Sequence, residues 1–80
     1  MRNNVLILSA ASKVRLVERF KDAAEPFGGK VFVNDLDENC TASFFSDGFI
    51  QLPATGSSAF EKELLYVCEA YGIGLIIPTR

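Results

Sequence analysis

The 80-residue chain carries eight basic and ten acidic residues, for a net charge of -2, and 49% of its residues are hydrophobic. This length allows a single domain, and the apolar share is too high for a disordered tail. Because Lys and Arg form no cluster, the sequence lacks the basic surface that nucleic-acid binding requires, and we exclude nucleic acid as a partner.

The residues 4–9 form a continuous apolar run, which predicts a strand covered on both faces, as in a parallel sheet. Ser12 is predicted to cap a helix over residues 13–26, where apolar side chains recur with the helical period and a proline closes the pattern. A second strand is predicted over residues 30–35. Residues 39–46 then form a short helix or an irregular crossover.

The second half of the chain repeats the strand and helix pattern. Residues 48–53 predict a third strand that ends in a proline, which cannot donate a hydrogen bond to a sheet. Ser58 and Glu61 have the spacing of a capping box, and the helix that they begin is expected to end at Gly72. A fourth apolar strand is predicted over residues 74–79, and with it strands and helices alternate along the chain.

The two cysteines, Cys40 and Cys68, occur without CxxC spacing and without any histidine. Metal ligation is therefore not indicated, and both side chains are predicted to be buried, reduced thiols, which is typical of a cytoplasmic protein. The apolar run near the N-terminus is short for a signal peptide, and no stretch approaches the about 18 apolar residues of a membrane span. The sequence predicts a soluble cytoplasmic protein without membrane contact.

Alternation of strands and helices predicts an α/β fold, a four-stranded parallel Rossmann-like sheet in the order 3-2-1-4 with helices on both faces. Ligands of such sheets bind beyond the carboxyl ends of the strands, where the strand order reverses. Three segments are predicted to meet there and to line a cleft, and their candidate residues are Ser9, Ala10, Ala11, Ser12, Lys13, Asp35, Asp37, Thr79 and Arg80.

The loop 9–13 can offer backbone N–H groups and a helix N-terminus to an anion. It has no glycine, so close approach of a dinucleotide pyrophosphate is unfavourable, and a substrate contact, a neighbouring-domain contact or a plain tight turn remain open. Asp35 stands where a ribose-binding acid is found in NAD-binding folds, but Asp35 and Asp37 are equally consistent with a solvated turn. No residue pair supports nucleophilic or acid-base catalysis, and no metal site is predicted.

Four stretches carry a resemblance to a known family: NVLILSA, VFVNDLD, CTASFFSDGFIQLP and GIGLIIPTR. With them the whole chain, residues 1–80, resembles the N-terminal (pre-ATP-grasp) domain of ATP-grasp ligases, especially those similar to the carbamoyl phosphate synthase large subunit. The first loop departs from the family, which often has a glycine and an arginine where Ala11 and Ser12 stand here.

The resemblance implies an enzyme that activates a carboxylate with ATP and magnesium as an acyl phosphate, which an amine then attacks. Both cofactors would be held by downstream ATP-grasp domains, so this chain alone would bind no cofactor and would be a non-catalytic fragment of a longer protein. The loop 9–13, Asp35, Thr79 and Arg80 would face a cleft for a small carboxylate or amino-acid substrate.

Two other classes of function are consistent with the residues. One is a stand-alone nucleotide or dinucleotide-binding domain, which Asp35 after the second strand suggests. The other is a ligand-free interaction module that uses the open edge of the fourth strand. An unpaired apolar strand at the end of the pattern also predicts an exposed patch through which the fragment self-associates.

Overall fold

A computed structural model describes residues 2–79 of the chain. Within these residues a four-stranded sheet is combined with two α-helices and two short 3-10 helical turns. The elements are β1 (Asn4–Leu8), α1 (Val14–Ala24), a turn at Glu25–Phe27, β2 (Val31–Val33), a turn at Thr41–Phe45, β3 (Gly48–Phe49), α2 (Phe60–Ala70) and β4 (Ile73–Pro78).

All three strand pairings are parallel, and the strand order is β3-β2-β1-β4. At the centre of the sheet Leu6 lies beside Phe32 of β2 and beside Ile76 of β4. The predicted fold class and strand order are therefore confirmed. Since the strands run in the same direction, their carboxyl ends lie at one edge of the sheet, where the order reverses between β1 and β4.

The side chains of β1 alternate between two hydrophobic cores, one on each face of the sheet. Val5 and Ile7 pack in the core that α1 covers, whereas Leu6 packs in the core that α2 covers. Successive residues of a strand point to opposite faces, so helices lie on both sides, as predicted. Cys40 and Cys68 are free and buried as predicted, and they belong to opposite cores, which prevents a disulfide between them.

The second and third strands are shorter than the sequence predicts. β2 ends at Val33, and beyond it the Asn34 side chain donates a hydrogen bond to the Ile50 carbonyl oxygen at 2.9 Å. The Ile50 amide in turn donates to the Val33 carbonyl oxygen, also at 2.9 Å. The segments that follow β2 and β3 are therefore still hydrogen-bonded to each other. One of their two bonds comes from the Asn34 side chain and not from the backbone.

Both predicted helix caps are wrong. Lys13, not Ser12, is the N-cap of α1, and no side chain caps that helix. At α2 the helix begins after Ala59, and the Ser57 hydroxyl accepts a hydrogen bond from the Ala59 amide at 3.1 Å. The helix thus starts one residue later than the capping box requires, because a tight turn ahead of it already uses the neighbouring serine. None of the helices between residues 2 and 79 is long and apolar enough to cross a membrane.

Asp47 secures the start of β2, and its loss is expected to destabilise the fold. Its Oδ2 accepts a hydrogen bond from the Val31 amide at 2.8 Å, and its Oδ1 lies 3.8 Å from the Lys21 ammonium. Asp47→Ala leaves the amide without this acceptor and should lower the free energy of unfolding by about 1–3 kcal/mol in urea denaturation. Lys21→Met removes the half-exposed ion pair and the exposed hydrogen bond from the ammonium to the Phe45 carbonyl oxygen, and should change the free energy of unfolding by less than about 1 kcal/mol. Equal losses in the two variants would contradict the assignment.

Candidate functional site

The ends of β1, β2 and β4 are joined at the carboxyl edge of the sheet by side-chain hydrogen bonds. The Thr79 hydroxyl lies 2.8 Å from the Leu8 carbonyl oxygen and 2.7 Å from that of Ser9. Across β1, the Ala11 amide donates to Asp35 Oδ1 at 3.3 Å. The structure therefore brings together the three segments that the sequence placed here. Arg80 lies outside the described residues.

Two residues of the loop after β1 have left-handed backbone conformations, although neither is glycine. The φ angle is 57° at Ser9 and 45° at Ala11. Such conformations are unfavourable for residues with a Cβ and persist where the surroundings impose them. Here the Ala42 amide donates to the Ala11 carbonyl oxygen at 2.9 Å, and Thr79 binds the carbonyl oxygen of Ser9. Hydrogen bonds from Ala42 and from Thr79 therefore fix the backbone conformation of the loop.

The amides of this loop are bound by the protein itself. Ala10 is fully buried, and its amide donates to the Asn34 carbonyl oxygen at 3.0 Å, while the Ala11 amide binds Asp35. The Lys13 amide closes back onto the Ala10 carbonyl oxygen at 2.8 Å. In phosphate-binding loops such amides point at the ligand. These three amides are bound within the protein and are not directed at a ligand.

Two adjoining cavities open at the carboxyl edge, and Ser9 and Thr55 border both. The first has a volume of about 230 Å³, and its lining residues are Ser9, Asn34, Asp35, Leu36, Leu52, Pro53, Ala54 and Thr55. The second, of about 280 Å³, is lined by Leu8, Ser9, Thr55, Pro78 and Thr79.

Of the predicted residues, Ser9, Asp35 and Thr79 line these cavities, whereas the exposed side chains of Ser12 and Lys13 border neither of them. Asp37 is exposed, and its Oδ1 accepts a hydrogen bond from the Asn39 amide at 2.9 Å, so it shapes the turn after β2.

Thr55 is a lining residue that the sequence reasoning missed. It belongs to the segment that runs from β3, at one edge of the sheet, to α2 and β4 at the other side. A crossover between the two edges passes over the point where the strand order reverses. The position of the segment ATGSS between the third strand and the second helix is the signal that could have identified it.

Asp35 is the one charged side chain among the described residues that line the two cavities. It is half-buried, and each carboxylate oxygen accepts a single backbone hydrogen bond, Oδ1 from Ala11 and Oδ2 from Asp37, both at 3.3 Å. A carboxylate oxygen has two lone pairs, so both can accept a further bond. Ser9 and Thr55, which line the same cavity, each carry a hydroxyl group.

The Asp35 carboxylate and the two hydroxyl groups are suited to a ligand that carries an amine. An ammonium group offers three hydrogen-bond donors and a positive charge, which a carboxylate and hydroxyl oxygens accept. Within residues 2–79 no group of three or more His, Cys, Asp or Glu side chains is placed to hold a metal ion. Among the described residues that line the two cavities, no nucleophile is paired with a base.

Comparison with known protein families assigns the chain to one of them. Residues 5–80 match the model of the family PylC-like, N-terminal domain. The chain belongs to this family. It is a pre-ATP-grasp domain of ATP-grasp ligases, which confirms the resemblance that the sequence carries. A search of the curated proteins found no match.

Proposed function

We propose that this domain forms the substrate side of an ATP-dependent carboxylate–amine ligase similar to the carbamoyl phosphate synthase large subunit, and that it is not catalytic alone. The observation that carries the proposal is the Asp35 carboxylate, the one charged group among the described residues that line the cleft, beside a loop with three amides bound within the protein. It would accept hydrogen bonds from the amine of an amino acid or a similar nucleophile.

The charges of the cleft support the proposal that this domain binds the amine, whereas the rest of the ligase binds the anionic groups. The later ATP-grasp domains would bind ATP and Mg²⁺, and a carboxylate substrate would there accept the γ-phosphoryl group of ATP to give an acyl phosphate and ADP. Such an anion has no cationic partner among the described residues that line the two cavities, and Asp35 would repel it. The domain would therefore hold the amine, with Ser9 and Thr55 fixing its orientation, while the anionic groups face the other domains.

A groove at the amino ends of β1 and β4, away from the cleft, supports self-association of the isolated chain. It has a volume of about 290 Å³ and lies between the end of α1 and β4, an edge strand of the sheet. Phe27 and Leu75 line it and are 72% and 47% exposed. Large apolar side chains exposed next to each other, here with Asn3 and Asn4 beside them, are typical of an interface. We expect the isolated chain, a cytoplasmic protein, to self-associate through this groove, while the ATP-grasp domains face the cleft at the other end of the strands.

The amine site is tested by titrating the isotopically labelled chain with the common amino acids and following backbone NMR signals. We expect saturable shifts at Ser9, Asp35 and Thr55, and Asp35→Asn should weaken binding roughly tenfold or more, because a hydrogen bond to a charged group contributes about 1.5–3 kcal/mol. Asp37→Asn is the matched control and should bind like the parent chain. Equal binding of the amine-acetylated ligand, or no shift at these residues, would overturn the proposal.

The same titration with NAD, NADP and ATP separates the ligase domain from a stand-alone nucleotide binder. We expect no shift at the loop 9–13, because three of its amides are bound within the protein. A saturable nucleotide site at Asp35 would instead favour the nucleotide-binding alternative.

A further inference from the structure

The two cavities at the carboxyl edge of the sheet offer a ligand different chemical groups. The first contains the Asp35 carboxylate, and each of its two oxygens can accept a further hydrogen bond. The second has a volume of about 280 Å³, and the side chains that line it within residues 2–79 are uncharged: Leu8, Ser9, Thr55, Pro78 and Thr79. A ligand that occupies both cavities would therefore have a charged end and an uncharged end.

Several polar groups of the second cavity already have partners within the protein. The Thr79 hydroxyl lies within hydrogen-bond distance of the carbonyl oxygens of Leu8 and Ser9, and its single proton is used there. Pro78 has no backbone N–H to donate. What Leu8, Pro78 and Thr79 still offer a ligand is mainly hydrocarbon, from a leucine, a proline ring and a methyl group.

The two cavities adjoin each other at two residues that carry hydroxyl groups. Ser9, which follows β1, and Thr55, which lies between β3 and α2, line both of them. A ligand bound to Asp35 can therefore extend past these hydroxyl groups into the second cavity without leaving the carboxyl edge. The polar part of the cleft lies next to Asp35, and the apolar part lies next to Pro78.

We propose that the amine held at Asp35 carries an uncharged aliphatic group, and that this group occupies the second cavity. The inference rests on the proposed function, because Asp35 must first hold the amine. Hydrocarbon that leaves water for an apolar lining gains stability in proportion to its area. A second charged group would lose water there and gain no charged partner among the described lining residues. The favoured substrates are therefore aliphatic amines and amino acids with aliphatic side chains.

The probes are unbranched alkylamines from methylamine to butylamine, titrated into the isotopically labelled full chain and followed by NMR. Each added methylene should tighten binding roughly twofold to fourfold, because its burial removes apolar area from water. The backbone amide of Asp35 should shift with every amine. The methyl signals of Leu8 and Thr79 should shift with butylamine and not with methylamine.

Pro78→Ser tests the apolar lining directly. The substitution removes the proline ring at an exposed position, so the chain should still fold, and the affinity for butylamine should fall at least threefold while that for methylamine stays unchanged. Pro26→Ser is the matched control, because Pro26 is an exposed proline in the turn after α1 and lines neither cavity. This variant should bind both amines like the parent chain.

Two analogues of butylamine test whether the second cavity is apolar. A hydroxyl replaces the terminal methyl group in the amino alcohol, and a carboxylate replaces it in γ-aminobutyrate. Both should bind at least threefold more weakly than butylamine, and tighter binding of either would overturn the proposal. If methylamine shifts Asp35 but butylamine binds no more tightly, the aliphatic cavity is wrong and the amine site stands. If methylamine does not shift Asp35, the proposed function and this inference both fail.

Discussion

Gly29→Ala is expected to lower the free energy of unfolding by about 3 kcal/mol, near the upper end of the range for overpacked sites. A Cβ at Gly29 would overlap the carbonyl oxygen of Asn3 and lie 3.1 Å from the Ala24 Cβ. Neither the backbone at Gly29 nor that at Asn3 can move away easily, because each is held by a hydrogen bond. The Gly29 amide donates to the Ala24 carbonyl oxygen at 3.0 Å, and the Asn3 side chain donates to the Phe27 carbonyl oxygen at 2.9 Å.

Gly28→Ala is the matched control one residue earlier. Gly28 has a φ of 70°, but a Cβ there would meet no atom within 4 Å. Alanine in the left-handed region is unfavourable by roughly 1 kcal/mol, without any steric overlap. Urea denaturation of both variants measures the difference. Equal losses would show that the left-handed turn, and not the close contact between Gly29 and Asn3, makes glycine necessary here.

The order of the strands could be predicted because it depends on local patterns and general rules. The apolar run at residues 4–9 indicated a strand buried on both faces, and right-handed crossovers then left few possible orders. Helix ends were less predictable. Ser58 and Glu61 have the spacing of a cap, but Ser57 competes by forming its own turn, and the sequence does not show which serine prevails.

The site was predictable at the level of segments and not of atoms. Topology alone placed Ser9, Asp35 and Thr79 at one edge. The closure of the loop could not be foreseen, because it depends on contacts between residues far apart in the chain, such as that between the Ala42 amide and the Ala11 carbonyl oxygen. Left-handed conformations at a serine and an alanine are also rare enough that the sequence favours ordinary turns.

Thr79→Val is expected to loosen the loop at the proposed amine site. Valine keeps the shape of threonine but removes the hydroxyl that contacts the carbonyl oxygens of Leu8 and Ser9. The free energy of unfolding should fall by about 1–2 kcal/mol, since the carbonyl oxygens of Leu8 and Ser9 lose the single hydroxyl proton that they share. Amide hydrogen exchange at Ala10 and Ala11 should also become faster, because their bonds to Asn34 and Asp35 then open more often.

Thr79→Ser keeps the hydroxyl and should restore slow exchange at both amides. A second substitution, Ser9→Gly, tests whether the Thr79 hydroxyl acts through the conformation of Ser9 or through the stability of the whole fold. Glycine adopts a φ of 57° without strain, so Ser9→Gly should offset part of the loss in the Thr79→Val chain, whereas distant substitutions should be additive. Additive effects of Ser9→Gly and Thr79→Val would mean that Thr79 does not hold Ser9 in its left-handed conformation. Non-additive effects of the two substitutions would mean that Thr79, which follows β4, sets the conformation of Ser9 and with it the shape of the cleft.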